Sequence, residues 1–151
     1  MPLFSLHPNL ARDCLEVATL SACRLLLMND SRHPWLILVP MREGLRDLDE
    51  LTPEETAAVW TEIRLASRLL RDQFHPEKLN IASLGNLVPQ LHIHIIARFT
   101  TDPDWPHPVW GRNPPLPYPP LEAEQLIKAL RDYLLDASHT QDGLGCPVRM
   151  P

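Results

Sequence analysis

Gln90-Leu91-His92-Ile93-His94-Ile95-Ile96 is the stretch on which the fold turns. Read as an extended strand, its side chains alternate sides, placing Gln90, His92 and His94 on one face and Leu91, Ile93 and Ile95 on the other. The apolar face can be buried in a core, and the polar face then holds two imidazoles rigidly. About 6–7 Å of backbone rise separates the two rings, so both can reach one small anion. A neutral imidazole is a competent nucleophile near pH 7, and an imidazolium donates to phosphate oxygens, so the pair can supply one of each. Two other readings share the spacing. One is a chance pair at a sheet surface. The other is a His-x-His contribution to a metal site, although zinc catalysis normally takes three protein ligands and no third His, Cys or acid lies close in sequence.

Working outward, Leu79–Leu84 reads as the neighbouring strand, Gly85–Pro89 as a turn and Gln90–Phe99 as the strand bearing the histidines, near enough to pair antiparallel. Further upstream, Thr52-Pro53-Glu54-Glu55 is a helix start. Thr52 can cap free N–H groups, Pro53 sits where a missing donor costs nothing, and Glu55 completes a capping box. Behind it Val59, Ile63, Ala66, Leu70 and Phe74 recur on one helical face, and the helix should end near His75-Pro76. Arg64, Arg68 and Arg71 form a basic stripe on another face, read as solvated surface. Before this helix, Cys14–Leu20 and Cys23–Met28 suit a hairpin, and Trp35–Val39 suits a central strand stopped by Pro40. Residues 1–12, with Pro2, Pro8 and Asn9, read as an extended lead-in.

Residues 101–120 change character, with eight of the chain's 17 prolines between Pro103 and Pro120. That density excludes an internal helix or central strand. Trp105, Val109, Trp110 and Tyr118 give the segment apolar anchors, so it reads as a loop packed over the sheet or a rim beside the pocket. A second main helix runs from Leu121 to about Ala137, with Glu122 and Glu124 suited to its N-terminus. The order of elements gives an α+β fold, a sheet of about five strands with two main helices on one side. Residues 1–137 form one domain that includes the Pro-rich loop. Residues 138–151 are a tail, disordered or serving as a partner strap.

A chain of 151 residues can bury a sizeable core without disulfides. A net charge of −5 speaks against a general nucleic-acid binder, which would show a basic patch, but not against a nucleotide, whose phosphate needs only a few donors. The three cysteines, Cys14, Cys23 and Cys146, lack disulfide or zinc spacing and fit free thiols in a reducing compartment. Residues 1–13 lack the basic and apolar regions of a signal peptide, and no apolar run reaches the roughly 18 residues of a membrane span. A cytoplasmic domain with no membrane partner is the expectation.

The run Leu84-Gly85-Asn86-Leu87-Val88-Pro89-Gln90-Leu91-His92-Ile93-His94-Ile95-Ile96-Ala97-Arg98 resembles the histidine triad (HIT) superfamily of nucleotide hydrolases and transferases. The family motif is three histidines alternating with apolar residues. Here Gln90 stands at the first position, as in a bacterial branch that writes Gln there. The resemblance implies an antiparallel sheet, pairing as a homodimer, and a nucleotide substrate rather than a nucleic-acid polymer. It also implies that His92 attacks the α-phosphorus to form a nucleotidyl-histidine, which water then hydrolyses to the nucleoside monophosphate. His94 matches the ring that holds a nonbridging phosphate oxygen. At Gln90 the backbone carbonyl would keep the nucleophile's other ring nitrogen protonated, while the amide could donate to a leaving group or act as a prop. Asn86 matches a position near the scissile bridge, and Asn29 one that contacts the ribose, although either could be an ordinary turn former. Arg98 shares the face by parity but lies further along the strand. His7, His33, His75, His107 and His139 take no role.

No cofactor is implied and no metal site, though a divalent cation can accompany the phosphates. Dinucleoside polyphosphates and nucleoside phosphoramidates are the substrate types implied. The alternatives are a nucleotide-binding protein without turnover, because Gln90 replaces a histidine, and a His-x-His metal-binding protein.

Overall fold

A computed structural model describes residues 3–139 and 147–151 of the chain. One five-stranded antiparallel sheet organises it, built from β1 (Cys14–Thr19), β2 (Cys23–Met28), β3 (Trp35–Pro40), β4 (Lys78–Ala82) and β5 (Ile93–Arg98) in the order β1-β2-β3-β5-β4. Between β3 and β4 lies α2 (Pro53–Phe74), α3 (Pro120–His139) follows the Pro-rich loop, and a short α1 (Pro8–Asp13) leads into β1.

The two faces of the sheet are buried differently. On one, Leu25, Leu27, Leu36, Leu38, Ile93 and Ile95 pack with Ile63, Ala66 and Leu70 of α2 and with Leu130 and Leu134 of α3. On the other, Leu26, Trp35, Ile37, Val39 and Ile96 pack with Leu10 of α1 and Val109 of the Pro-rich loop. All six residues of β3 are buried, which is why that strand reads as an unbroken apolar run instead of an alternation. β5 is equally buried, so its polar residues His94 and Arg98 are held between layers rather than at a wet surface.

Local signals place the helices. Thr52 accepts from Glu55 N–H at 3.2 Å while Glu55 accepts from Thr52 N–H at 2.8 Å, so both halves of the capping box form at the start of α2. The helix stops at His75, whose φ of 52° lies in the left-handed region. The lead-in departs from the extended reading. Pro8 occupies the first helical turn, where proline is tolerated, and the His7 ring caps α1 by accepting from Asn9 N–H at 3.1 Å.

β5 is also shorter than Gln90–Phe99, because Leu91 N–H bonds to Leu45 O at 2.9 Å rather than to a sheet neighbour. In the tail, Ser138 belongs to α3, and residues 140–146, Cys146 among them, lie outside the described residues. Further on, Thr19 and Arg149 exchange two backbone hydrogen bonds of 2.7 Å along the outer edge of β1. No described helix is long and apolar enough to cross a membrane.

Candidate active site

His92 and His94 stand at the start of β5 on the face away from α2 and α3, with ring centroids 4.9 Å apart and planes at 74°. They open onto a pocket of about 420 Å³, a size suited to a nucleotide-sized ligand. Its walls come from α1 and β1 (Asn9, Leu10, Asp13, Cys14), from β2 and β3 (Met28, Trp35, Ile37), from the 84–88 loop and from Trp110 of the Pro-rich loop. The lining is mainly apolar and holds no Lys or Arg, so the polar side chains facing it are the two imidazoles, Asn9, Asn86 and Asp13. Asp13 is paired with Arg12 at 2.8 Å.

Each imidazole has one nitrogen engaged within the protein. His92 Nδ1 lies 2.7 Å from the carbonyl oxygen of Gln90. A carbonyl only accepts, so Nδ1 carries a proton, and in the neutral ring the lone pair is on Nε2. The Trp35 indole N–H donates to His94 Nδ1 at 3.0 Å. Among the described residues neither Nε2 makes a hydrogen bond, and both rings line the pocket. Burial, with a contribution from His92, pulls His94 down to about 3, so this ring is neutral at physiological pH. That corrects the picture of a neutral and a charged imidazole side by side: whatever His94 donates, it donates as an uncharged ring.

The remaining sequence candidates separate. Asn86 lines the pocket from an exposed loop. Gln90 contributes its carbonyl but turns its side chain away. Its Oε1 accepts from His7 N–H at 2.8 Å and its Nε2 donates to Ser5 O at 2.9 Å. The amide therefore props the N-terminal segment and is not a donor to a leaving group. Asn29 is not among the pocket residues, and its Oδ1 accepts from Tyr118 N–H at 2.9 Å, tying down the end of the Pro-rich loop. Arg98 shares the face of the histidines but is buried in an ion pair with Asp102 at 2.8 Å. Among the described residues no three His, Cys, Asp or Glu side chains converge as metal ligands, so the His-x-His pair has no third donor there.

Sequence reasoning missed two contributors. Trp35 reads as one more apolar strand residue, and only its position opposite Ile96 in the neighbouring strand reveals a polar edge aimed at His94. His33, given no role, is fully buried with Nε2 2.7 Å from Asp104 Oδ2 and helps clamp the Pro-rich loop. That loop brings Trp110 edge-on to His94, with centroids 5.1 Å apart, in keeping with a rim beside the pocket.

Comparison with known proteins agrees with this arrangement. The model of the HIT domain matches residues 12–101. A histidine triad protein from Bradyrhizobium japonicum shares 44% identity and superposes with a TM-score of 0.84, over 87% of this chain and 98% of that one. A histidine triad protein from Marinobacter aquaeolei shares 40% identity with a TM-score of 0.86, over 89% and 98%. The bis(5'-adenosyl)-triphosphatase of Saccharomyces cerevisiae is 30% identical in a 69-residue alignment that covers 42% of this chain and only 34% of that protein's length. By its five-stranded sheet, its paired histidines and these matches, the chain belongs to the HIT domain family.

Proposed function

We propose that the protein is a nucleotide hydrolase or nucleotidyl transferase that reacts at an α-phosphate through a nucleotidyl-histidine on His92. The observation that carries this reading is the 2.7 Å contact between His92 Nδ1 and the Gln90 carbonyl, which puts the lone pair of the neutral ring on Nε2 in a histidine that lines a nucleotide-sized pocket. In the first step Nε2 bonds to phosphorus as the leaving group departs with the electrons of its bond. In the second, water cleaves the P–N bond, releasing a nucleoside monophosphate and restoring the ring. A covalent route of this kind divides one difficult displacement into two easier ones. His94, beside it, donates to a nonbridging oxygen, and Asn86, which also lines the pocket, serves the bridge.

Substrates of the dinucleoside polyphosphate or nucleoside phosphoramidate type fit this scheme. With no Lys or Arg in the lining, a polyphosphate would bring its divalent counter-ion as part of the substrate. The test is to incubate the protein with adenosine 5'-phosphoramidate and with diadenosine triphosphate, follow AMP release, and quench in alkali to recover adenylyl-histidine at His92. Tight binding of both compounds with no AMP released would replace this reading with that of a nucleotide sensor.

His94→Ala is expected to reduce kcat by about 10²–10³-fold, as for one lost oxyanion donor. Steady-state kinetics at pH 7 check this, and a loss below about fivefold would remove His94 from the chemistry.

Two copies pair, in our reading, along β4. That strand ends the sheet with no partner strand on its outer side among the described residues, and beside it Trp60 and Ile81 are 58% and 45% exposed. Light scattering on the eluting protein should give twice the monomer mass, whereas Trp60→Glu should elute as a monomer.

A further inference from the structure

We propose that Trp35 is a positioning residue of this site, whose indole N–H fixes His94 as the neutral tautomer with its proton on Nε2. An indole N–H only donates. It meets His94 Nδ1 at 3.0 Å with both rings buried, so Nδ1 must present a lone pair. An imidazolium, or the tautomer protonated at Nδ1, would set two protons against each other there. The one proton of the neutral ring therefore sits on Nε2, which is unbonded among the described residues and belongs to a ring lining the pocket.

The ring is also held from its other side. Trp110 meets His94 edge-on at 5.1 Å and Trp35 at 6.0 Å, so a flip of the imidazole would have to displace two indoles. The ionisable groups sharing the pocket with His94 are His92 on the same face, and Asp13 and Cys14 at the β1 end. β3 and the Pro-rich loop present indoles and apolar groups to it instead of a carboxylate that could hold it protonated. The drop of His94 to about 3 agrees with this setting.

The two histidines are thus set in opposite senses by two neighbours of fixed polarity. A carbonyl, which can only accept, places the Nδ1 proton of His92, so the neutral ring has its lone pair at Nε2. An indole, which can only donate, leaves His94 with a proton at Nε2. With His92 neutral, the two rings offer the pocket a nucleophile and a donor without any proton moving between them. The catalytic consequence rests on the reading of His94 as a donor to a phosphate oxygen, whereas the tautomer itself does not.

The experiment begins with the resting protein. Long-range proton–nitrogen correlation spectra of ¹⁵N-histidine-labelled protein, assigned with His94→Gln, should show His94 protonated at Nε2 and bare at Nδ1 at pH 7 and still at pH 5. His94 found as an imidazolium or as the Nδ1–H tautomer at pH 7 overturns the proposal, with no need for any variant at Trp35 to fold.

Trp35→Phe then removes the N–H while keeping an aromatic ring. Mixed tautomers, titration of His94 at higher pH, and a kcat at pH 7 lower by about five- to tenfold with KM changed less than about twofold are expected. An unchanged His94 tautomer in Trp35→Phe, with unchanged kcat, would show that the indole is not what sets it. Should wild-type protein release no AMP from either adenosine substrate, the hydrolase reading fails, and the wild-type and Trp35→Phe spectra still decide the tautomer and the part the indole plays in it.

Discussion

His92→Ala is expected to lower turnover of an adenylated substrate by more than about 10⁴-fold, with no adenylyl-protein recovered after quenching. The size of the effect follows from what is lost. No other residue lining the pocket presents an unprotonated imidazole nitrogen, since His94 has its Nδ1 lone pair engaged by Trp35. Water must then attack phosphorus directly, without the covalent step that divides the barrier. Substrate binding should change far less, because the apolar walls and Trp110 are untouched. The fall therefore belongs in kcat, which initial rates across a substrate series would show. Turnover within tenfold of wild type would remove the covalent scheme and direct attention to a water-activating mechanism.

The largest effect on stability is expected at Arg98. This guanidinium is 2% exposed and makes four hydrogen bonds to three residues: its Nε and Nη2 bond both oxygens of Asp102 at 2.8 and 3.1 Å, Nη1 bonds Asn80 at 2.8 Å, and Nη2 also reaches His107 O at 2.7 Å. Arg98→Met keeps much of the stem but strands the carboxylate of Asp102 away from its cation. Breaking a buried pair from one side costs about 3–5 kcal/mol, and urea unfolding should show a loss in that range. A loss below about 1 kcal/mol would mean that water reaches the carboxylate freely.

The same pair contributes to the loss of stability in acid. Burial raises Asp102, but the Arg98 bonds and the N–H groups of Phe99 and Asp104 outweigh it and hold the carboxyl at about 2. A carboxyl whose folded value lies below its unfolded value of about 3.9 contributes stability above that pH and loses it as pH falls toward 2. In Arg98→Met the folded value rises, so this part of the pH dependence should flatten.

Several of these features were readable along the chain because their causes are local. Alternation from Leu91 to Ile96 announces a strand with two imidazoles on one side, and Thr52 with Glu55 announces the start of a helix three residues apart. The features that escaped depend on partners far along the chain. Gln90 looks like a site residue by its place in the motif, yet its amide is claimed by Ser5 and His7, more than 80 positions earlier. His33 sits in a turn-forming cluster with nothing to mark it until Asp104 arrives from 71 positions away. Trp35 has the hydropathy of a core residue, and the direction of its single N–H is set only when β3 and β5 come into register. Helix α1 was hidden for a different reason. Proline is read as a breaker, although at the first turn of a helix its missing donor is harmless.

The contact between Thr19 and Arg149 bears on how large an assembly this chain can build. That short piece of returning chain occupies part of one border of the sheet, while at the opposite border β4 has no partner strand among the described residues. A ribbon with both borders free can add neighbours without end, as fibrils do. One that is blocked on a single side can join a twin edge to edge by a two-fold rotation, after which no docking edge is left over. If two copies pair along β4 as proposed, the Thr19–Arg149 bridge, far from the chemistry, would favour a closed pair over an open polymer.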